Sequence, residues 1–142
     1  MSDLEKRLQT LEDRDAIREL TAQYCQCAVR GDAAGVVALF TEEGILEAGD
    51  TKEVGHERLL DLYKESFADL RPIPCVHNHV IEVDGDSATG TCTVELRMVQ
   101  NGEPYTAAGW YEDDFVRVGS AWRFSRRRLF FYHRVALSKG WA

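Results

Sequence analysis

Three turn signals set the folding problem for this chain. Asp84-Gly85-Asp86, Asn101-Gly102 and Gly119-Ser120 divide residues 75–133 into the runs Cys75–Val83, Ala88–Val99, Tyr105–Val118 and Ala121–His133. Within the runs apolar side chains alternate with polar ones. In the second, Cys92, Val94, Leu96 and Met98 share one face, and Thr91, Thr93, Glu95 and Arg97 share the other. Alternating runs joined by such short turns pair as sequence neighbours, so this half of the chain predicts an antiparallel meander with one buried face.

The first half carries a different period. Leu4, Leu8 and Leu11, then Ile17, Leu20, Tyr24 and Cys27, recur at helical spacing across Asp3–Arg30, with Asp13 to Asp15 as a candidate break. Gly31 stops this helix and Asp32 caps a short one over Ala33–Phe40. A turn at Thr41–Gly44 leads to a short strand, Ile45–Glu47, and Glu57–Asp69 reads as a third helix whose apolar face is Leu59, Leu60, Leu62, Tyr63 and Phe67. Helices followed by a meander spell an α+β domain, and 142 residues leave room for one core, so residues 1–142 form a single unit. A strongly curved sheet wrapped round the helices leaves a cone-shaped cavity between the layers.

Charge narrows the partners. The chain has 17 basic and 24 acidic residues, a net charge of −7, which opposes a nucleic-acid partner. Arg126-Arg127-Arg128 is a basic run, but it lies in an aromatic strand. No run is long and apolar enough for a membrane span, and the charged start is unlike a signal peptide, so the expected location is the cytoplasm. Cys25, Cys27, Cys75 and Cys92 read as small buried apolar groups. Alternation would put His77 and His79 on one strand face, but no third ligand stands nearby, so neither a metal nor another cofactor is expected.

Three segments carry a family resemblance: A-I-R-E-L-T-A-Q-Y-C-Q-C-A-V-R-G-D-A-A-G-V-V-A-L-F, N-H-V-I-E-V-D-G-D-S-A-T-G and G-W-Y-E-D-D-F-V-R-V-G-S-A-W-R-F. Together they resemble the SnoaL-like branch of the nuclear transport factor 2-like superfamily over nearly the whole chain. The resemblance implies N-terminal helices packed in a curved antiparallel sheet. It implies a function drawn from cofactor-independent dehydratases, dehydrochlorinases, isomerases, cyclases and non-catalytic binding domains, several of them trimeric. In several of the lyases an Asp–His dyad removes a proton. The corresponding positions here read Val29 and Pro74.

The remaining candidates follow from residue chemistry and the same resemblance. Tyr24 matches a tyrosine of the dehydratase-like members, and is either a proton donor or a core aromatic. Unbroken alternation puts Trp122, Phe124, Arg126 and Arg128 on one face. Arg126 then clamps a developing anion in the cone or belongs to a cross-strand ion-pair ladder at a subunit interface. His77 and His79 are candidate bases. Phe40, Tyr63, Asn78, Tyr111, Phe115, Arg128 and Trp141 are candidate substrate contacts, with Trp141 as either a lid or a packing anchor. The first expectation is a cofactor-free lyase acting on a small hydrophobic, aromatic, steroid-like or polyketide-like molecule. An isomerase or cyclase and a binding module are the alternatives. A homo-oligomer, trimer or dimer, would cover the outer sheet face.

Overall fold

The computed structural model describes residues 1–140, so the candidate lid Trp141 lies outside the described residues. Helix α1 (Asp3–Arg30) opens with a capping box between Ser2 and Glu5 and ends at Gly31 in the left-handed region. It is continuous through Asp13–Asp15. Asp13 does not break the helix, because it turns inward and accepts hydrogen bonds from Arg117 and Trp122. Helix α2 is Ala33–Val37 and α3 is His56–Leu70. The strands are β1 (Phe40–Ala48), β2 (Thr51–Val54), β3 (Ile73–Asp84), β4 (Ser87–Gln100), β5 (Glu103–Val118) and β6 (Ala121–Ala136). Phe40 therefore starts a strand, where helical spacing had placed it in α2. Among the described residues, no helix is long and apolar enough to cross a membrane.

The six strands form one sheet in the order β2-β1-β6-β5-β4-β3. The meander β3 to β6 pairs as the turn signals require. The sheet is mixed, however, because β1 lies parallel to β6. The helices fill its concave side, and the core combines Ile17, Leu20 and Val36 with Phe40, Leu59, Phe115 and Phe124.

Bulges bend the long strands and decide which side chains face inward. In β3, pairing jumps from His77↔Thr93 to Val80↔Thr91, and Asn78 adopts φ 57°. In β6, pairing jumps from Phe124↔Phe115 to Arg126↔Asp114, leaving Ser125 as the extra residue, its hydroxyl donating to the Asp114 carbonyl at 3.1 Å. Another jump separates Phe131↔Gly109 from His133↔Ala108. There a Cβ on Gly109 would sit 1.9 Å from the Phe130 carbonyl oxygen, so only glycine admits this approach.

Candidate functional site

The bulges relocate most of the polar candidates. One extra residue inverts the alternation beyond it. Trp122 and Phe124 face the core, but after Ser125 the inward positions are Arg127, Leu129 and Phe131. Arg126 therefore lies on the other face, half-exposed, its Nε donating to Glu47 at 3.2 Å. Arg128 is also outside, paired with Asp114 at 3.4 Å. The shared face expected for Trp122, Phe124, Arg126 and Arg128 is broken, and an intrachain ion pair holds Arg126.

Arg127 takes the interior position. It is 0% exposed. Its Nε and Nη2 donate to Asp113 at 3.0 and 3.4 Å, and its guanidinium lies 3.5 Å from the Tyr111 ring centroid and 4.2 Å from that of Tyr24. Its Nη1 is buried with no hydrogen-bond partner. Burial opposes its charge, but the Asp113 carboxylate beside it favours the charged form, and the guanidinium stays protonated. Burial likewise raises the Asp113 carboxyl to about 6 against the pull of Arg127, so the pair is ionised at neutral pH. The sequence did hold one signal for this pair. Asp113 alternates with Tyr111 and Phe115 on an inward face, and a buried carboxylate needs a buried cation opposite it.

Above this pair lies the principal cavity, about 640 Å³. Its walls include Leu46, Leu62, Leu70, Leu96, Met98, Leu129 and Phe131, and its rim carries Thr51, Glu53, Glu65, Asp69 and Arg134. Tyr24, Tyr63 and Tyr111 supply the polar groups of its buried end. The Tyr24 and Tyr63 hydroxyls are 2.7 Å apart. Two hydroxyls carry two protons and share one bond, so one O–H of the pair is left without an acceptor. The Tyr111 hydroxyl has no hydrogen bond among the described residues. Burial raises all three phenols well above their ordinary range, so they are neutral donors at pH 7. The buried end thus holds an excess of donors; the described lining residues include no imidazole, and their carboxylates, Glu53, Glu65 and Asp69, stand at the rim.

The histidines are elsewhere. The bulge at Asn78 puts His77 and His79 on opposite faces, where unbroken alternation would have joined them. His77 is exposed, 3.3 Å from Glu95. Asn78 is exposed too, donating to Thr93 at 3.3 Å, and so does not reach the cavity. His79 faces α1 and meets Thr21 at 2.9 Å. The Thr21 hydroxyl donates to the Arg18 carbonyl at 2.7 Å, so it accepts from His79, whose Nε2 carries the proton. Phe40 and Phe115 are buried behind the tyrosines, in the core. Pro74 lines the cavity, while Val29 is 51% exposed on α1. Cys75 is exposed, unlike Cys25, Cys27 and Cys92. No group of three His, Cys, Asp or Glu among the described residues is arranged to hold a metal.

The pocket of His79 has a measurable consequence. Desolvation, helped by Arg18 and Arg127, holds its pKa below the ordinary 6.5. The folded state favours neutral imidazole, so its stabilisation is complete above pH 6.5 and is lost as pH falls through 6.5 towards the folded value. Melting temperature should drop more steeply over that interval in the wild type than in His79→Gln; equal slopes would refute the assignment.

The fold and this cavity define a class, a helix-filled cone with an apolar, hydroxyl-ended pocket. The chain belongs to the SnoaL-like domain family, whose profile matches residues 9–128, within the NTF2-like superfamily. Among solved structures it is similar to an NTF2-like protein with a cystatin-like fold from Novosphingobium aromaticivorans, at 27% identity and TM-score 0.76 over 96% of this chain and 93% of that one. It is also similar to a protein from the same organism provisionally named scytalone dehydratase, at 20% identity and TM-score 0.83 over 89% of each chain. A hexachlorocyclohexane dehydrochlorinase, LinA type 2, matches at 19% identity and TM-score 0.83 over 92% of each chain. At such identities the last two speak for the fold alone. No curated protein matches.

Proposed function

We propose that the cone binds a small, largely apolar molecule by an acceptor oxygen and catalyses a cofactor-independent elimination on it. The observation that carries this reading is the donor excess at the buried end: two tyrosine O–H groups without acceptors set among apolar walls, with the unpartnered Arg127 Nη1 behind them rather than on the lining. Such an end matches a carbonyl oxygen and strengthens its hold as that oxygen becomes an enolate. Tyr24, Tyr63 and Tyr111 are the direct donors, and Arg127 supplies positive charge behind them. With His77 and His79 turned away, the base falls to a rim carboxylate, Glu53, Glu65 or Asp69. The carboxylate takes the proton next to the carbonyl, and the electron pair moves onto oxygen as an enolate. Collapse of the enolate expels a hydroxyl at the next carbon, which leaves as water with the abstracted proton. The family's dehydratase and dehydrochlorinase relatives support an elimination.

One observation favours a second reading, a binding module. Val29 and Pro74 stand where lyase relatives are expected to carry their dyad, and the cavity holds no imidazole among its described lining residues. Two probes separate the readings. 1-Tetralone should bind about tenfold more tightly than tetralin, which lacks the oxygen, and Tyr24→Phe/Tyr63→Phe/Tyr111→Phe should erase that preference. Equal binding of the two in the wild type would sink both readings. With 3-hydroxy-1-tetralone, elimination releases fluorescent 1-naphthol; binding without accelerated release assigns the binding module instead.

The outer sheet face supports self-association. Trp110 stacks on Phe130 at 5.0 Å and 14°, with Tyr132 at 4.7 Å. We take this aromatic surface as a contact between copies, the small molecule being the other partner. Free thiols at all four cysteines fit a reducing compartment such as the cytoplasm.

A further inference from the structure

The start of α1 stands clear of the body. Residues 3–12 are all exposed, and burial begins at Asp13. At about 100° per residue, Asp13, Ile17, Leu20 and Tyr24 form the side that enters the core. Leu4, Leu8 and Leu11 project from the opposite side, 72%, 54% and 63% exposed. The helix therefore carries two apolar stripes, and the second faces away from its own body.

The second stripe has the spacing of a coiled-coil seam. Steps of four and then three residues place Leu4, Leu8 and Leu11 at d, a and d of a heptad. Arg7 and Arg14 then fall at g, Glu12 and Glu19 at e. None of these four forms an ion pair among the described residues. In a parallel in-register pair, Arg7 faces the partner copy's e position of opposite charge, and Arg14 does the same one heptad on. An antiparallel pair would set arginine against arginine and glutamate against glutamate.

We propose that this projecting segment pairs in parallel with the same segment of a second copy. The segment is too short to form a coiled coil as a free peptide, but it continues a helix already held in the core and capped by Ser2 and Glu5, so nucleation is complete before pairing. The body lies on the far side of the helix from the seam, which leaves the seam open to a two-fold partner. This surface is separate from the aromatic sheet face.

Sedimentation velocity on the full chain tests the pairing. Leu4→Gln/Leu8→Gln/Leu11→Gln should halve the mass of the wild-type particle while leaving the near-UV spectrum of the body intact. Arg7→Glu should weaken assembly, and Arg7→Glu/Glu12→Arg should restore it. On mild oxidation Leu8→Cys should yield a covalent chain dimer in excess of the wild type, whose Cys75 is exposed. An unchanged mass in the triple variant overturns the proposal. So does a halved mass without the Leu8→Cys cross-link, which would dock the stripe on another surface of the neighbour.

Discussion

Arg127→Met is expected to destabilise the protein by about 3–5 kcal/mol, because it strands the Asp113 carboxylate in the core without its partner. The carboxylate is 2% exposed and makes its hydrogen bonds with that guanidinium. Asp113→Leu/Arg127→Met should recover most of the loss, since two apolar side chains replace an ion pair whose desolvation cost was large. Activity should not return with stability. The double variant retains three tyrosines but no cation behind them, so it should fold, bind 1-tetralone, and release 1-naphthol from 3-hydroxy-1-tetralone at least about a hundredfold more slowly, the usual cost of removing an oxyanion stabiliser. Arg126→Met, one residue away, should leave release unchanged. Thermal melts with release assays on the three variants check this; loss of release in Arg126→Met with full release in the double variant would put the functional cation outside the cone.

Asp13→Ala should carry the second largest effect, about 2–4 kcal/mol, or roughly 10 °C in melting temperature. Asp13 accepts from both Arg117 Nη atoms at 2.8 and 2.9 Å, from Trp122 Nε1 at 3.2 Å and from Gln9 Nε2 at 3.0 Å. Arg117 also donates to Asp86 at 2.9 Å, so the network ties α1 to the β3–β4 turn and to the start of β6. The hydrogen bonds from Arg117 hold the Asp13 carboxyl below its ordinary 3.8. Its contribution is therefore present above pH 3.8 and lost as pH falls through the folded value. Asp13→Asn should flatten that acid limb, and a melt series from pH 5 to pH 2 reads it; an unchanged limb would place acid sensitivity elsewhere. Because Asp13 lies outside the cavity, tetralone affinity should hold in Asp13→Asn.

The helices and the meander were legible because their signals are local: spacing, caps and turn dipeptides. The parallel β1–β6 pairing was not, since it joins residues about eighty positions apart through a short strand. The site was legible only in its aromatics. Tyr24, Tyr63 and Tyr111 fall on regular stretches where face follows from position, and the cavity brings all three together. Arg126, Arg128 and Asn78 were misplaced for one reason: each lies at or beyond a one-residue bulge, and a bulge inverts every later side chain, which also parts His79 from His77. Such a bulge has no reliable dipeptide signature. It shows instead as a conflict across strands, here Asp113 among inward aromatics with no inward cation until Ser125 is taken out of register.

The most direct test of the account is the carbonyl stretch of bound 1-tetralone, read by infrared difference spectroscopy. If the donor-rich end grips the oxygen, the band shifts to lower frequency than in an apolar solvent. That shift should persist in Arg126→Met, shrink in Tyr24→Phe/Tyr63→Phe, which keeps the Tyr111 donor, and vanish in Tyr24→Phe/Tyr63→Phe/Tyr111→Phe. A bound ketone whose stretch stays at its apolar-solvent position would contradict the account, because the oxygen would then meet no donor and the cone would be only an apolar container.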